Sequence, residues 1–234
     1  MVKSGFNSKV CRKKIYLSGA HKQNRLAFAR DYVDNDLEFF RNILWSDEFT
    51  VKQVPNRKFE TYWTRPDDSH NNEITSVQKQ QGGFSVCFWG AISFWTRSRL
   101  VAFEGTVDRF VYLRVLQQQL WPIYRDAEDD IIFMHDNAPI HTSELIDLFL
   151  SEKGIDVLNW PKYSPDLNPI ENMWAIVKRK LYEKYLEFTS KEMLIDAVFE
   201  IWENIEDYIF HQLSEGVPER LQAVIERKGN WINK

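Results

Sequence analysis

The feature that most constrains the fold is the order in which two kinds of apolar pattern appear. Residues 43–51 (ILWSDEFTV), 58–64, 84–94 (FSVCFWGAISF) and 99–104 are rich in aromatic and β-branched residues and read as four successive strands. From residue 108 onward the pattern alternates. Residues 108–124 read as a helix, 130–135 as a buried strand, 142–152 as a helix stopped at Gly154, and 155–159 as a strand. Helices over 169–185, 191–205 and 219–228 follow. A run of strands followed by alternating helices and strands predicts an α/β fold, one mixed sheet with helices on both faces. Upstream, residues 20–33 read as a helix with Leu26, Ala29 and Val33 on one side, and 36–42 as its extension. Residues 65–83 are polar and read as a long loop.

With 234 residues, nine Trp and sixteen Phe, the chain has material for one large core. No apolar run approaches the roughly 18 residues of a membrane span, which excludes a membrane partner. The two cysteines, Cys11 and Cys87, give neither a disulfide framework nor a zinc spacing, which points to a reducing compartment. Net charge is −4, unevenly spread: residues 1–30 hold eight Lys or Arg and no acid, leaving −12 on the remainder. A basic arm on an acidic body suits phosphate contact by Lys9, Arg12, Lys13, Lys14, Lys22 and Arg25, and metal binding by the body. A solubilising or nuclear-targeting tail is the other reading of the same charges.

Three carboxylates sit at informative places. Asp136 ends the apolar run of residues 131–135 (IIFMH), where a strand meets the loop at its carboxyl end. An acid there is solvated, paired or metal-bound, or else a turn residue in Asp-Asn-Ala-Pro. Glu171 opens a helix behind Pro161, Pro165 and Pro169, which recur every four residues and stiffen the approach. Its plain reading is a capping box with Asn168 as the N-cap. Ile170, Trp174, Val177 and Leu181 form that helix's apolar stripe, and Glu171 shares the neighbouring face with Lys178, an arrangement suited to metal plus phosphate. Asp47 shares a strand face with Trp45 and Phe49, whereas Glu48 faces the other way. Asp47 is bound or ion-paired. His135, Asn137 and His141 bracket Asp136: either one of them orients water or a phosphate oxygen, or Asn137 and His141 serve turn and helix-start geometry, and the two histidines lack a third zinc ligand. Trp160 and Tyr163 read as loop-packing residues, or as platforms for bases.

Residues 45–49 (WSDEF), 82–86 (GGFSV) with 89–91 (WGA), 135–139 (HDNAP) and 164–174 (SPDLNPIENMW) together resemble the Tc/mariner superfamily of DNA transposases. The 34 residues between Asp136 and Glu171, and the glutamate itself, resemble the Tc branch, as does the tail 217–225 (VPERLQAVI). The resemblance implies a ribonuclease-H-like fold. It implies a metal-binding catalytic triad of Asp47, Asp136 and Glu171 holding two magnesium ions, with manganese as a substitute. It further implies cut-and-paste transposition: cleavage at transposon ends, strand transfer into a TA target, a homodimeric paired-end complex, and a nuclear site of action. The expected organisation is a basic arm and linker helix over 1–42, a catalytic domain over 43–188 and a helical tail over 189–234. The family's helix-turn-helix end-recognition region has no match here, so the chain is expected to be a catalytic fragment, or a relic acting as a non-catalytic DNA-binding module.

Overall fold

The computed structural model describes residues 15–53, 83–127 and 130–232. The strand expected over 58–64, most of the loop expected over 65–83, and Lys9, Arg12, Lys13 and Lys14 lie outside these residues. The strands are β1 (Ile43–Lys52), β2 (Ser85–Ile92), β3 (Val101–Phe103), β4 (Ile132–Met134) and β5 (Asp156–Val157), ordered β3-β2-β1-β4-β5 in one sheet. Adjacent strands in β1–β2–β3 are antiparallel, whereas β4 pairs parallel to β1 and β5 parallel to β4. The mixed sheet predicted from the element order is therefore present.

The two-residue period of β1 and β2 sorts the core into two halves. Ile43, Trp45, Phe49, Val51, Val86 and Phe88 face one cluster, which α1 (Gly19–Tyr32), α6 (Ile170–Lys184), α7 (Lys191–Glu203), α8 (Asp207–Glu215) and α9 (Val217–Glu226) cover. Leu44, Trp89 and Ala91 face the other, covered by α3 (Arg109–Val115), α4 (Trp121–Asp126) and α5 (Glu144–Glu152). A short α2 (Leu37–Arg41), capped by Asp36, leads into β1. Each face of the sheet thus loses its apolar area to water, worth about 25 cal/mol per Å² buried. Among the described residues no helix is long and apolar enough to cross a membrane.

Three local readings are corrected. The helix predicted over 108–124 is interrupted by a π-helical turn at Leu116–Leu120, where Trp121 N–H reaches Leu116 five residues back. Pro122, which has no N–H to donate, lies in the first turn of α4. The residues after 205 hold an unpredicted helix, α8, whose buried side is only Phe210 and Ser214, too sparse a stripe to read as periodic. The capping box at Glu171 does not form. Asn168 is buried, its amide N–H donates to Ser46 O (3.2 Å) and its Oδ1 accepts from Ile170 N–H (3.3 Å). Asn168 is anchored to β1, and the Glu171 side chain is left free to face elsewhere.

Candidate catalytic carboxylate site

Strand register brings the first two carboxylates together. β1 and β4 pair with Ile43 opposite Ile132 and Trp45 opposite Met134, an offset of 89. The same offset carried two residues past the end of β4 sets Asp136 level with Asp47. Ser46 Oγ–H donates to Met134 O (2.8 Å) and holds the two strands at this point.

Glu171 arrives through helix packing. Ile170, Met173, Trp174, Val177 and Leu181 are buried, and the Trp174 ring stacks on Phe49 with centroids 4.1 Å apart. Gly90 is what permits this approach. It pairs with Asp47 across the β1–β2 ladder, and a Cβ there would lie 2.9 Å from Trp174 Cη2 and 2.8 Å from Leu100 Cδ2. The first turn of α6 therefore sits over the middle of β1. Lys178, two turns along, places its Nζ 5.5 Å from the Phe49 ring centre. Burial lowers its pKa, while the charges of Glu171 and Asp47 act in the opposite direction.

The charge is unbalanced. Asp47 is pushed up to about 8, first by burial, then by the neighbouring charges of Glu171, Glu48 and Asp136, against a hydrogen bond from Glu48 N–H to its Oδ1 (2.8 Å). For Asp136, burial acts upward, but the His141 hydrogen bond and Ala138 N–H hold it below the ordinary carboxylate range. His141 Nδ1 lies 2.7 Å from Asp136 Oδ1, and its Nε2 lies 3.2 Å from Glu48 Oε1. Hydrogen bonds to two carboxyl groups favour the doubly protonated ring. Burial pulls its pKa down, and the two carboxylates outweigh burial and lift it to about 9. Neighbouring His135 falls to about 4, first through burial and then through the His141 charge.

These oxygens suit a hard divalent cation, which takes oxygen ligands and keeps several waters. Asp47 Oδ2, Asp136 Oδ2 and the Glu171 carboxylate accept no hydrogen bond from the described residues. As the side chains stand, no three His, Cys, Asp or Glu among the described residues form a group that holds a metal ion. The Oδ1 atoms of Asp47 and Asp136 are turned to protein donors.

The remaining candidates divide. Arg25 is not a DNA contact. It is fully buried and forms a bidentate pair with Asp166, with both hydrogen bonds at 2.7 Å. The buried stripe of α1 is Arg25, Phe28 and Ala29, one position from the stripe expected through Leu26, and the arginine at helical spacing was its only signal. Lys22 is half-buried on the same helix, as is Lys178 on α6. Trp160 packs in the core, whereas Tyr163 is exposed, with φ 57° and its ring against His21. Asn137 has a loop role, its amide donating to Trp160 O (2.7 Å). The contact of His141 with both Asp136 and Glu48 is what sequence reasoning did not show. Its signal was positional: Glu48 points to the opposite face from Asp47, toward the element that follows Asp136.

Residues 42–195 match the family model of the DDE superfamily endonucleases. The Tc3 transposase of Caenorhabditis elegans is 29% identical over 220 residues, covering 93% of this chain and 64% of that protein. The Tcb2 transposase of Caenorhabditis briggsae is 28% identical over 235 residues, covering 97% of this chain and 82% of that protein. This chain thus spans about two thirds of Tc3. Among solved structures, the mariner Mos1 paired end complex with Mg superposes with a TM-score of 0.85 at 21% identity, covering 99% of this chain and 69% of that one. The isolated catalytic domain of Mos1 gives 0.73 at 19%, covering 95% of this chain and 100% of that one. The structural likenesses show the ribonuclease-H-like fold. With the family model covering more than half of the sequence, the chain belongs to the DDE superfamily endonucleases, among the Tc/mariner transposase catalytic domains.

Proposed function

We propose that this chain carries the phosphodiester chemistry of a cut-and-paste DNA transposase, with Asp47, Asp136 and Glu171 as its metal ligands. The observation that carries the reading is the unbalanced convergence of these three acids. Asp47 is raised to about 8 by burial and by the charges of Glu171, Glu48 and Asp136, and the oxygens named above accept no hydrogen bond from the described residues. The likeness to the Tc3 transposase and to the Mos1 structures solved with Mg and with Mn supports the same chemistry. Two magnesium ions bound there supply activation of the attacking oxygen and stabilisation of the leaving oxygen in an in-line displacement.

The protein's own groups supply the rest. His141 and Ala138 N–H hold one oxygen of Asp136, and the other accepts no hydrogen bond from the described residues. Lys178, beside Glu171, is placed to meet a DNA phosphate as a point charge. Hydrolysis at the transposon end leaves a 3′-hydroxyl and a 5′-phosphate. The 3′-hydroxyl then attacks a phosphodiester of a TA target and releases a new 3′-hydroxyl there. The basic arm, through Lys9, Arg12, Lys13, Lys14 and Lys22, contributes salt-dependent phosphate contacts. By analogy with the Mos1 paired-end complexes, two copies act together on two ends, in the nucleus of a eukaryotic host. We take residues 1–42 as a basic arm and linker helix, 43–188 as the catalytic body and 189–234 as a helical tail. The intact carboxylates argue against a purely DNA-binding relic.

The test supplies an end-recognition domain and transposon-end DNA. Asp136→Asn is expected to abolish magnesium-dependent nicking while the thermal melt stays that of the parent chain. Nicking retained by a folded Asp136→Asn protein overturns the assignment.

A further inference from the structure

We infer that His141 and Glu48 form a positioning frame that sets the carboxylates of Asp47 and Asp136 relative to each other. The inference rests on the reading of Asp136 as a metal ligand. Asp136 needs such help. It lies two residues beyond the end of β4, and its side chain is 56% exposed. A loop carboxylate in that position samples several rotamers, and fixing it on binding costs free energy that a preorganised ligand avoids.

The frame closes through four short links. His141 Nδ1 hydrogen-bonds with Asp136 Oδ1 (2.7 Å), and Nε2 hydrogen-bonds with Glu48 Oε1 (3.2 Å). Glu48 then acts twice, because its backbone N–H donates to Asp47 Oδ1 (2.8 Å). The fourth link is the peptide bond between Asp47 and Glu48. One residue of β1 therefore orients Asp47 directly and Asp136 through the imidazole.

The ring itself is held. His141 is 3% exposed, its ring lies 4.1 Å from that of Tyr112 and 5.4 Å from that of His135, and its backbone N–H donates to Ala138 O (2.8 Å). Both ring nitrogens are engaged by carboxylates, which leaves neither lone pair for a metal ion. His141 acts through Asp136 and is a positioning residue. Partners of this kind, one bond behind a ligand, typically change metal affinity by about 10- to 100-fold when removed.

The two nitrogens can be separated by substitution. The amide of His141→Asn falls near Nδ1 and keeps a donor for Asp136; that of His141→Gln falls near Nε2 and keeps one for Glu48. Manganese(II) binding to the chain is measured by electron paramagnetic resonance of the free ion, with thermal melts in parallel. Asp136→Asn, as control, is expected to lose binding at that site. His141→Asn is expected to bind within about threefold of the parent, and His141→Gln about tenfold more weakly, on the scale of lost partners behind a ligand. Equal affinity in His141→Gln and the parent overturns the frame, and so does equal weakening of both His141 variants with equal loss of thermal stability. Undiminished binding by Asp136→Asn is a different failure, because it removes the ligand reading on which the frame rests.

Discussion

Arg25 and Asp166 are buried together, and every N–H of the guanidinium is used. The guanidinium makes five hydrogen bonds: two to Asp166 and one each to the carbonyls of Gly229, Tyr163 and Asn230. Asp166 Oδ2 also accepts from Ile232 N–H (2.9 Å). Five residues along the chain, Glu171 belongs to a group built the other way. There the charges of Glu171, Glu48 and Asp136 all act on Asp47, and Lys178 and His141 are cations coupled to the same acids. The first cluster joins α1, the proline-rich loop and the C-terminal residues into one unit, and its charges cancel. The second leaves negative charge over. A balanced buried charge holds a fold together; an unbalanced one marks where a ligand of opposite sign completes the structure.

The comparison can be broken most sharply at its two acids. Glu171→Gln is expected to lower magnesium-dependent strand cleavage on the order of a thousandfold, the several kcal/mol that metal ions contribute, with the melting temperature held. Asp166→Asn should do the reverse in kind, lowering stability first. Arg25→Met leaves Asp166 buried without its partner and is expected to cost about 3–5 kcal/mol in urea unfolding. Pairing it with Asp166→Leu should recover part of that loss. A neutral Arg25→Met would show that the knot is ornamental.

Gly90→Ala tests how the unbalanced site is held. The added methyl meets Trp174 and Leu100, so about 1–3 kcal/mol of overpacking is expected. Trp174 fluorescence and metal affinity should move with it, because the same helix carries Glu171.

The smallest effect, per pH unit, belongs to Asp47. Its folded pKa of about 8 against 3.8 means the folded state holds an extra proton between those values, so this group's stability contribution falls as pH rises. His135, lowered from 6.5 to about 4, acts with opposite sign between about 4 and 6.5 and offsets it there. His141, raised to about 9, adds to the fall above 6.5. Metal-free chain should thus be nearly flat in stability from pH 4 to 6.5 and should weaken above that. Asp47→Asn should turn the flat region into a rise, a difference of at most about 1.4 kcal/mol per pH unit for one proton. Melts in buffer containing a chelator read this directly, and addition of magnesium should relieve the weakening.

Much of this was legible before any coordinates. β1 and β4 were readable because strand burial follows a period of two and the apolar runs were long enough to show it. The stripe of α6 was readable for the same reason at helical period, and it placed Glu171 and Lys178 on a common side. What sequence did not show depended on partners far along the chain. Arg25 read as a basic-arm residue because its acid lies 141 residues away. Asn168 read as a cap because the carbonyl it prefers, that of Ser46, is 122 residues away. His141 read as a helix-start residue because Glu48, on another strand, supplies half of its setting. α8 was missed because its buried surface is narrow.

The π-helical turn at Leu116–Leu120 carries a consequence for inheritance. Such a turn holds one residue more than the α-helix around it. A single-codon deletion within residues 117–119 would restore a regular helix and swing α3 against α4 by about 100°. Tyr112, on one side of the turn, lies against His141, while Trp121, on the other, lies under Lys153. The codon count of this short stretch is therefore coupled to the aromatic bed beneath the carboxylates. In-frame deletions there should be among the least tolerated in the gene, although no residue of the turn itself has chemistry to lose.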